Sequence, residues 1–179
     1  NDGAERILSE LSREWVKCGH HVTIIQTGAN NYGVSYQLDN EIKIVNIKAK
    51  STIKPIRYLQ EIKQIVSYLN KHPHATVVSF IVASIFNCGV ASFFVKNRIV
   101  VSERNNPKEC PAGRIRQKLR DWAFSRADVC VFQTEEAMKM FPKKVQKKGV
   151  IISNPINGNL PKPYTGVREK RIVAACRLH

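Results

Sequence analysis

Glu103 and Arg104 stand together in SERNNP, residues 102–107, a run of polar and turn-forming positions directly behind the apolar stretch that begins at Arg98. A carboxylate beside a guanidinium at the end of a strand can hold a polar substrate, and Ser102 and Asn105 add two short hydrogen-bonding side chains. The same pair can also neutralise itself as a local ion pair, so two readings stay open. A second loop, NDGAER at 1–6, places Gly3 at a helix start, where free backbone N–H groups can face an anion or a hydroxyl, unless Asp2 merely caps the helix. In QTEEA, 133–137, Thr134 has the position of an N-cap with Glu136 or Ala137 in the first turn. Basic residues form the fourth group. Arg114, Arg116, Lys118 and Arg120 border an apolar stripe between 114 and 126, and Lys143 and Lys144 open the run PKKVQKK. Long basic side chains beside an apolar face can lie on an anionic membrane; the alternative is that Ile115, Leu119 and Trp122 pack on a sheet beneath a solvated basic face.

Charge over the whole chain narrows the partners. Lys and Arg number 29 against 14 Asp and Glu, a net charge of +15, and residues 96–148 hold 14 of the basic residues against 6 acidic ones. Dense positive charge suits a phosphorylated substrate, an anionic membrane surface or a nucleic acid. Aromatic residues do not alternate with the basic ones as a base-stacking platform requires, which argues against single-stranded nucleic acid. The five cysteines, Cys18, Cys88, Cys110, Cys130 and Cys176, are odd in number and lack C-x-x-C spacing, a usage that suits a reducing cytoplasm. Five histidines are not spaced with cysteine or carboxylate as metal ligands, so no metal is expected. No apolar window is long enough to span a bilayer and no secretory leader pattern is present, leaving a peripheral contact as the expected route to a membrane.

The elements that must position these residues follow from periodicity. Residues 4–17 place Ile7, Leu8, Leu11, Trp15 and Val16 on one helical stripe closed by Gly19, and HVTIIQT, 21–27, reads as a buried strand. IKIVNI, 42–47, predicts a more exposed strand, and Leu59, Ile62, Ile65, Val66 and Leu69 an amphipathic helix over 56–71. Strands follow at 76–81, 98–102, 129–133 and 149–153, with helices at 83–96, 114–126 and 135–141 between them. Strand and helix alternate throughout. Parallel strands need crossover helices, so the pattern predicts an α/β fold: a Rossmann-like open parallel sheet with helices on both faces, and with ligands at the carboxyl ends of the strands.

Taken in order, the GAER helix start, GHHVTII, VVSERNNP, RADVCVFQTEEA, VIISNPI and IVAACRL resemble the bacterial family 4 glycosyltransferases over nearly the whole chain. The resemblance implies the N-terminal half of a GT-B architecture, two Rossmann-like domains facing across a cleft, with the acceptor held mainly by the first and the nucleotide sugar by the second. It divides the chain into an acceptor-side domain at 1–156 lacking its first strand, an interdomain linker at 157–170, and the first strand of a donor-binding domain at 171–179; the sequence is thus expected to be truncated at both ends. It further implies a donor-diphosphate contact for Arg177, where Cys176 stands in place of the usual Gly, and acceptor or donor contacts for Gly3, Ser102, Glu103, Arg104, Asn105 and Thr134. Many relatives carry a His in the loop occupied here by Glu103 and Arg104. Transfer would proceed with retention from a nucleotide sugar to a lipid-linked saccharide, in cell-surface polysaccharide synthesis at the cytoplasmic face of the inner membrane, with no metal, no other cofactor and no nucleic-acid partner. Two other classes compete. One is a non-catalytic basic domain binding anionic lipid or nucleic acid; the other, a dinucleotide-dependent oxidoreductase, is disfavoured because no G-x-G-x-x-G follows a strand.

Overall fold

The structure, a computed structural model, describes residues 3–27, 38–154 and 165–166, with side chains from Arg6 onward. The expected linker apart from 165–166, the strand at 171–179 and Arg177 lie outside these residues. Helix α1 spans Gly3–Lys17, and strands β1 and β2 span Thr23–Thr27 and Lys43–Ile47. Helix α2 (Lys54–Asn70), β3 (Val77–Ser79), α3 (Val82–Ala91), β4 (Ile99–Ser102) and α4 (Arg114–Arg126) follow, then β5 (Val129–Phe132), α5 (Glu135–Lys139), α6 (Lys143–Gln146) and β6 (Gly149–Ile151). All strand pairings are parallel. The fold is an open parallel α/β arrangement of the Rossmann-like kind, as the alternation of apolar periods requires.

One expected sheet is divided into two. Strands β1 and β2 pair with each other, and β3, β4, β5 and β6 form a second sheet in that order. No ladder joins β1 to β3 among the described residues. The sheets nevertheless share apolar contacts: Ile47 of β2 clusters with Ile65 and Leu69 of α2 and Ala91 of α3, and Ile25 of β1 and Val77 of β3 pack against that cluster. A larger cluster lies between the four-stranded sheet and α3, α4 and α6, built on Ile99, Val101, Cys130 and Phe132 from the strands and Ile85, Phe124 and Val145 from the helices. Phe124 and Phe132 are fully enclosed, each stabilising the fold by about 1.5–3 kcal/mol. Burial pushes the thiols of Cys88 and Cys130 up to about 11, so both behave as small apolar groups rather than nucleophiles.

Three helices lie side by side along one face. Gly89 of α3 meets Ala123 of α4 so closely that a Cβ added at Gly89 would stand 3.1 Å from the Ala123 backbone. An aromatic chain crosses all three: Tyr58 of α2 lies 5.8 Å from Phe86 of α3, which lies 5.5 Å from Trp122 of α4. Helix α3 is shorter than its apolar run, stopping at Ala91, where Ser92 bonds back to Gly89 O and Asn97 then anchors the chain to the carbonyls of His72 and Ala75. The lysine run after Pro142 contains a helical turn, α6, because Val145 is fully buried between its lysines.

Helix α4 departs most from its expected packing. Its buried residues are Arg120, Ala123 and Phe124, whereas Ile115 is 77% and Leu119 46% exposed. The close approach at Gly89 seats the later half of α4 on α3, leaving the apolar side chains of its first two turns uncovered.

Candidate functional site

Strand β4 ends at Ser102, and the ladder is carried one step further by the N–H of Glu103 donating to Val131 O of β5 at 2.9 Å. This places SERN at the carboxyl edge of the sheet, beside the start of α5. A pocket of about 280 Å³ opens there, lined by Glu103, Arg104, Asn105 and Asn106 from one loop and by Gln133, Thr134, Glu136 and Met140 from the other.

Glu103 is only 2% exposed. Its Oε1 accepts hydrogen bonds from the backbone N–H groups of Arg104 and Asn105 at 3.0 and 2.9 Å, while Oε2 is buried without a partner. Burial pushes the carboxyl above the ordinary carboxylate range, against the pull of those N–H groups and of the nearby Arg120 charge. The ion pair considered from sequence is not formed. Arg104 instead reaches across the edge, donating from Nη1 to Asn154 Oδ1 beyond β6 at 2.6 Å and lying 5.3 Å from the Phe80 ring beyond β3. Its Nε is buried without a partner, and burial draws the guanidinium below its ordinary value. Ser102 Oγ, just behind, is a third buried polar atom lacking a partner. Three successive residues thus present an acceptor, a donor and a hydroxyl with unmet hydrogen-bonding capacity, at a place where buried polar atoms are ordinarily satisfied.

Thr134 caps α5 as its place in QTEEA predicts, its Oγ1 accepting from Ala137 N at 3.1 Å, and it also lines the pocket. Glu136 lies in the same wall, held below the ordinary carboxylate range by its own backbone N–H and the Thr134 hydroxyl. Gly3 opens α1. Asn105 is exposed, with its backbone in the Glu103 turn.

Arg114, Arg116 and Lys118 are exposed on α4, and Lys143 and Lys144 on α6. Arg120, expected on the same basic surface, is instead 4% exposed and points inward. Its Nη1 donates to Pro107 O and Cys110 O at 2.7 and 3.1 Å, its other nitrogens bond Asp121, and its guanidinium lies 4.3 Å from the Phe141 ring. Arg120 therefore fastens the loop that carries Glu103 to the body of the fold. Basic residues bordering a helical stripe read the same whether an arginine is solvated or binds loop carbonyls; Phe80, expected within the strand at 76–81, stands just past the observed end of β3 at Ser79, and Asn154 carried no signal beyond its place after a strand.

Among the described residues no group of three or more His, Cys, Asp or Glu is placed to hold a metal ion, and no helix is long and apolar enough to cross a membrane. No protein-family model and no curated protein matches the chain.

Proposed function

We propose that the chain is the acceptor-side domain of a retaining, nucleotide-sugar-dependent glycosyltransferase of GT-B architecture, acting on a lipid-linked saccharide in cell-surface polysaccharide synthesis on the cytoplasmic face of the membrane. The observation that carries this reading is the unpartnered Oε2 of buried Glu103 in the wall of a pocket at the carboxyl ends of β4 and β5. A saccharide offers hydroxyl groups that both donate and accept, which matches an unmet carboxylate oxygen beside an unmet guanidinium N–H. Glu103 would orient an acceptor hydroxyl by accepting from it, Arg104 would donate from Nε to a neighbouring hydroxyl oxygen, and Asn105 and Thr134 would complete the wall. The leaving diphosphate would meet Arg177 and the Gly3 helix start, where cationic and N–H groups offset developing charge.

The test is transfer by the full-length protein from a panel of uridine and guanosine diphosphate sugars to short-chain polyprenyl-diphosphate saccharides, with the anomeric configuration of the product read by NMR. Glu103→Gln should lower kcat/KM by roughly 10- to 100-fold, the loss expected for one charge-assisted hydrogen bond. Glu109→Gln, outside the pocket, serves as the control. Absence of turnover with every donor, or full activity in Glu103→Gln, would remove the proposal.

A further inference from the structure

The walls of the Glu103 pocket differ in chemistry. One side is polar: Glu103 Oε2 and Arg104 Nε are buried with no partner, an acceptor and a donor on neighbouring residues. The other side is apolar, lined by Pro107, Ala137 and Met140. Two of these three are held in place by their backbones. Arg120 Nη1 donates to Pro107 O at 2.7 Å, and Ala137 N–H donates to Thr134 Oγ1 at 3.1 Å. Met140, at the end of α5, is partly exposed, and its unbranched thioether can close over a small apolar group. At about 280 Å³ the pocket has room for one sugar residue rather than a chain.

An unsubstituted hexose accounts for the polar side alone. Its hydroxyls give Glu103 a donor and Arg104 an acceptor, but no methyl group meets Pro107, Ala137 and Met140. An acetamido substituent carries all three complements on one small planar unit: an N–H, a C=O and a methyl group. We infer that the pocket selects an acceptor whose sugar bears an N-acetylamino group beside the reacting hydroxyl. Glu103 Oε2 has two lone-pair sites, one for that hydroxyl and one for the amide N–H. Arg104 Nε then donates to the amide C=O, and the methyl group rests on Pro107, Ala137 and Met140. A free amino sugar fits less well, because its ammonium would face the Arg104 guanidinium. The acceptor role rests on the glycosyltransferase reading; recognition of the N-acetylamino group does not.

Two measurements on the full-length protein keep these apart. Binding is read by saturation-transfer NMR with the methyl glycosides of N-acetylglucosamine and N-acetylgalactosamine against those of glucose and galactose. The acetyl methyl should take the strongest saturation in wild type, Met140→Ser should lose it, and the volume-conserving Met140→Leu should keep it. Transfer is read as kcat/KM with short-chain polyprenyl-diphosphate sugars in matched pairs, N-acetylamino against hydroxyl. Wild type should prefer the N-acetylamino member by roughly 10- to 100-fold, the discrimination open to one apolar group with its hydrogen bonds. Met140→Ser should narrow that ratio by about tenfold and Met140→Leu should preserve it, with circular dichroism as the check on folding. Equal saturation or equal kcat/KM within the pairs, tighter binding of free glucosamine, or an undiminished ratio in folded Met140→Ser would overturn the inference. If transfer persists in those cases, the glycosyltransferase reading stands without it. Selective binding of the N-acetylamino sugars with no transfer from any donor would count against the catalytic reading alone.

Discussion

Replacing Arg120 with Met keeps most of the buried stem and removes the charge that joins α4 to the loop carrying Glu103. The guanidinium donates to Pro107 O at 2.7 Å and Cys110 O at 3.1 Å and lies 4.3 Å from the Phe141 ring. Two charge-assisted bonds to carbonyls are together worth about 3 kcal/mol or more, and the contact with the ring about 1 kcal/mol. Relief of the desolvation cost of the buried cation returns part of this, so a net loss of about 3 kcal/mol is expected. Asp121 adds little to the loss, because its side chain is 24% exposed and water can replace the lost partner. For a domain of this size the melting temperature should fall by roughly 6–12 °C. Removing the Arg120 charge also removes an influence that holds the Glu103 carboxyl down, so Glu103 should titrate higher still. Urea and thermal unfolding followed by circular dichroism measure the first effect, and hydrogen exchange of residues 104–113 shows whether the loop loosens with it. A stability loss under about 0.5 kcal/mol with unchanged exchange in that loop would refute the assignment of Arg120 as its anchor.

The raised pKa of Glu103 makes a signed prediction about stability. A carboxyl whose folded value exceeds its unfolded value contributes fully below the unfolded value, near 4.5, and loses that contribution as pH rises through the folded value. Glu103→Gln should therefore become progressively more stable than wild type as pH rises from about 4.5 through the raised folded value of the carboxyl, by about 1.4 kcal/mol for each unit by which it is displaced; a flat difference curve in urea titrations would contradict this. At Gly89, a Cβ would stand 3.1 Å from both Cα and Cβ of Ala123. Gly89→Ala should cost about 1–3 kcal/mol and Gly89→Leu should prevent cooperative unfolding altogether, both measured by calorimetry, with wild-type stability in Gly89→Leu the refuting result.

The periodicities at Ile62, Ile65 and Leu69, and the β-branched runs at 23–27 and 99–102, made the helices and strands legible because each has a side that must leave water. The position of SERN at the strand edge followed from the same alternation. What could not be read was direction within α4. Ile115, Leu119 and Trp122 share a helical stripe, but a helix covers only the part of its stripe that meets another element, and α3 meets α4 at Ala123. Arg120 was misassigned for a related reason: its burial depends on loop carbonyls at Pro107 and Cys110, whose positions no helical pattern encodes. Arg104 bonding Asn154 rather than Glu103 likewise spans 50 residues, a separation at which local reasoning has no hold.

The aromatic chain across the three helices has an optical consequence. Trp122 and Trp15 are the only tryptophans in the sequence. Trp122 sits 5.5 Å from Phe86 and 6.3 Å from Phe93, whose ring carries the Arg126 guanidinium at 4.2 Å. In a Trp15→Phe protein the remaining indole would emit from the seam between α3 and α4. Its colour and anisotropy would then report any tilt of α4 against α3, giving the helix raft a gauge of its own bending that needs no attached dye.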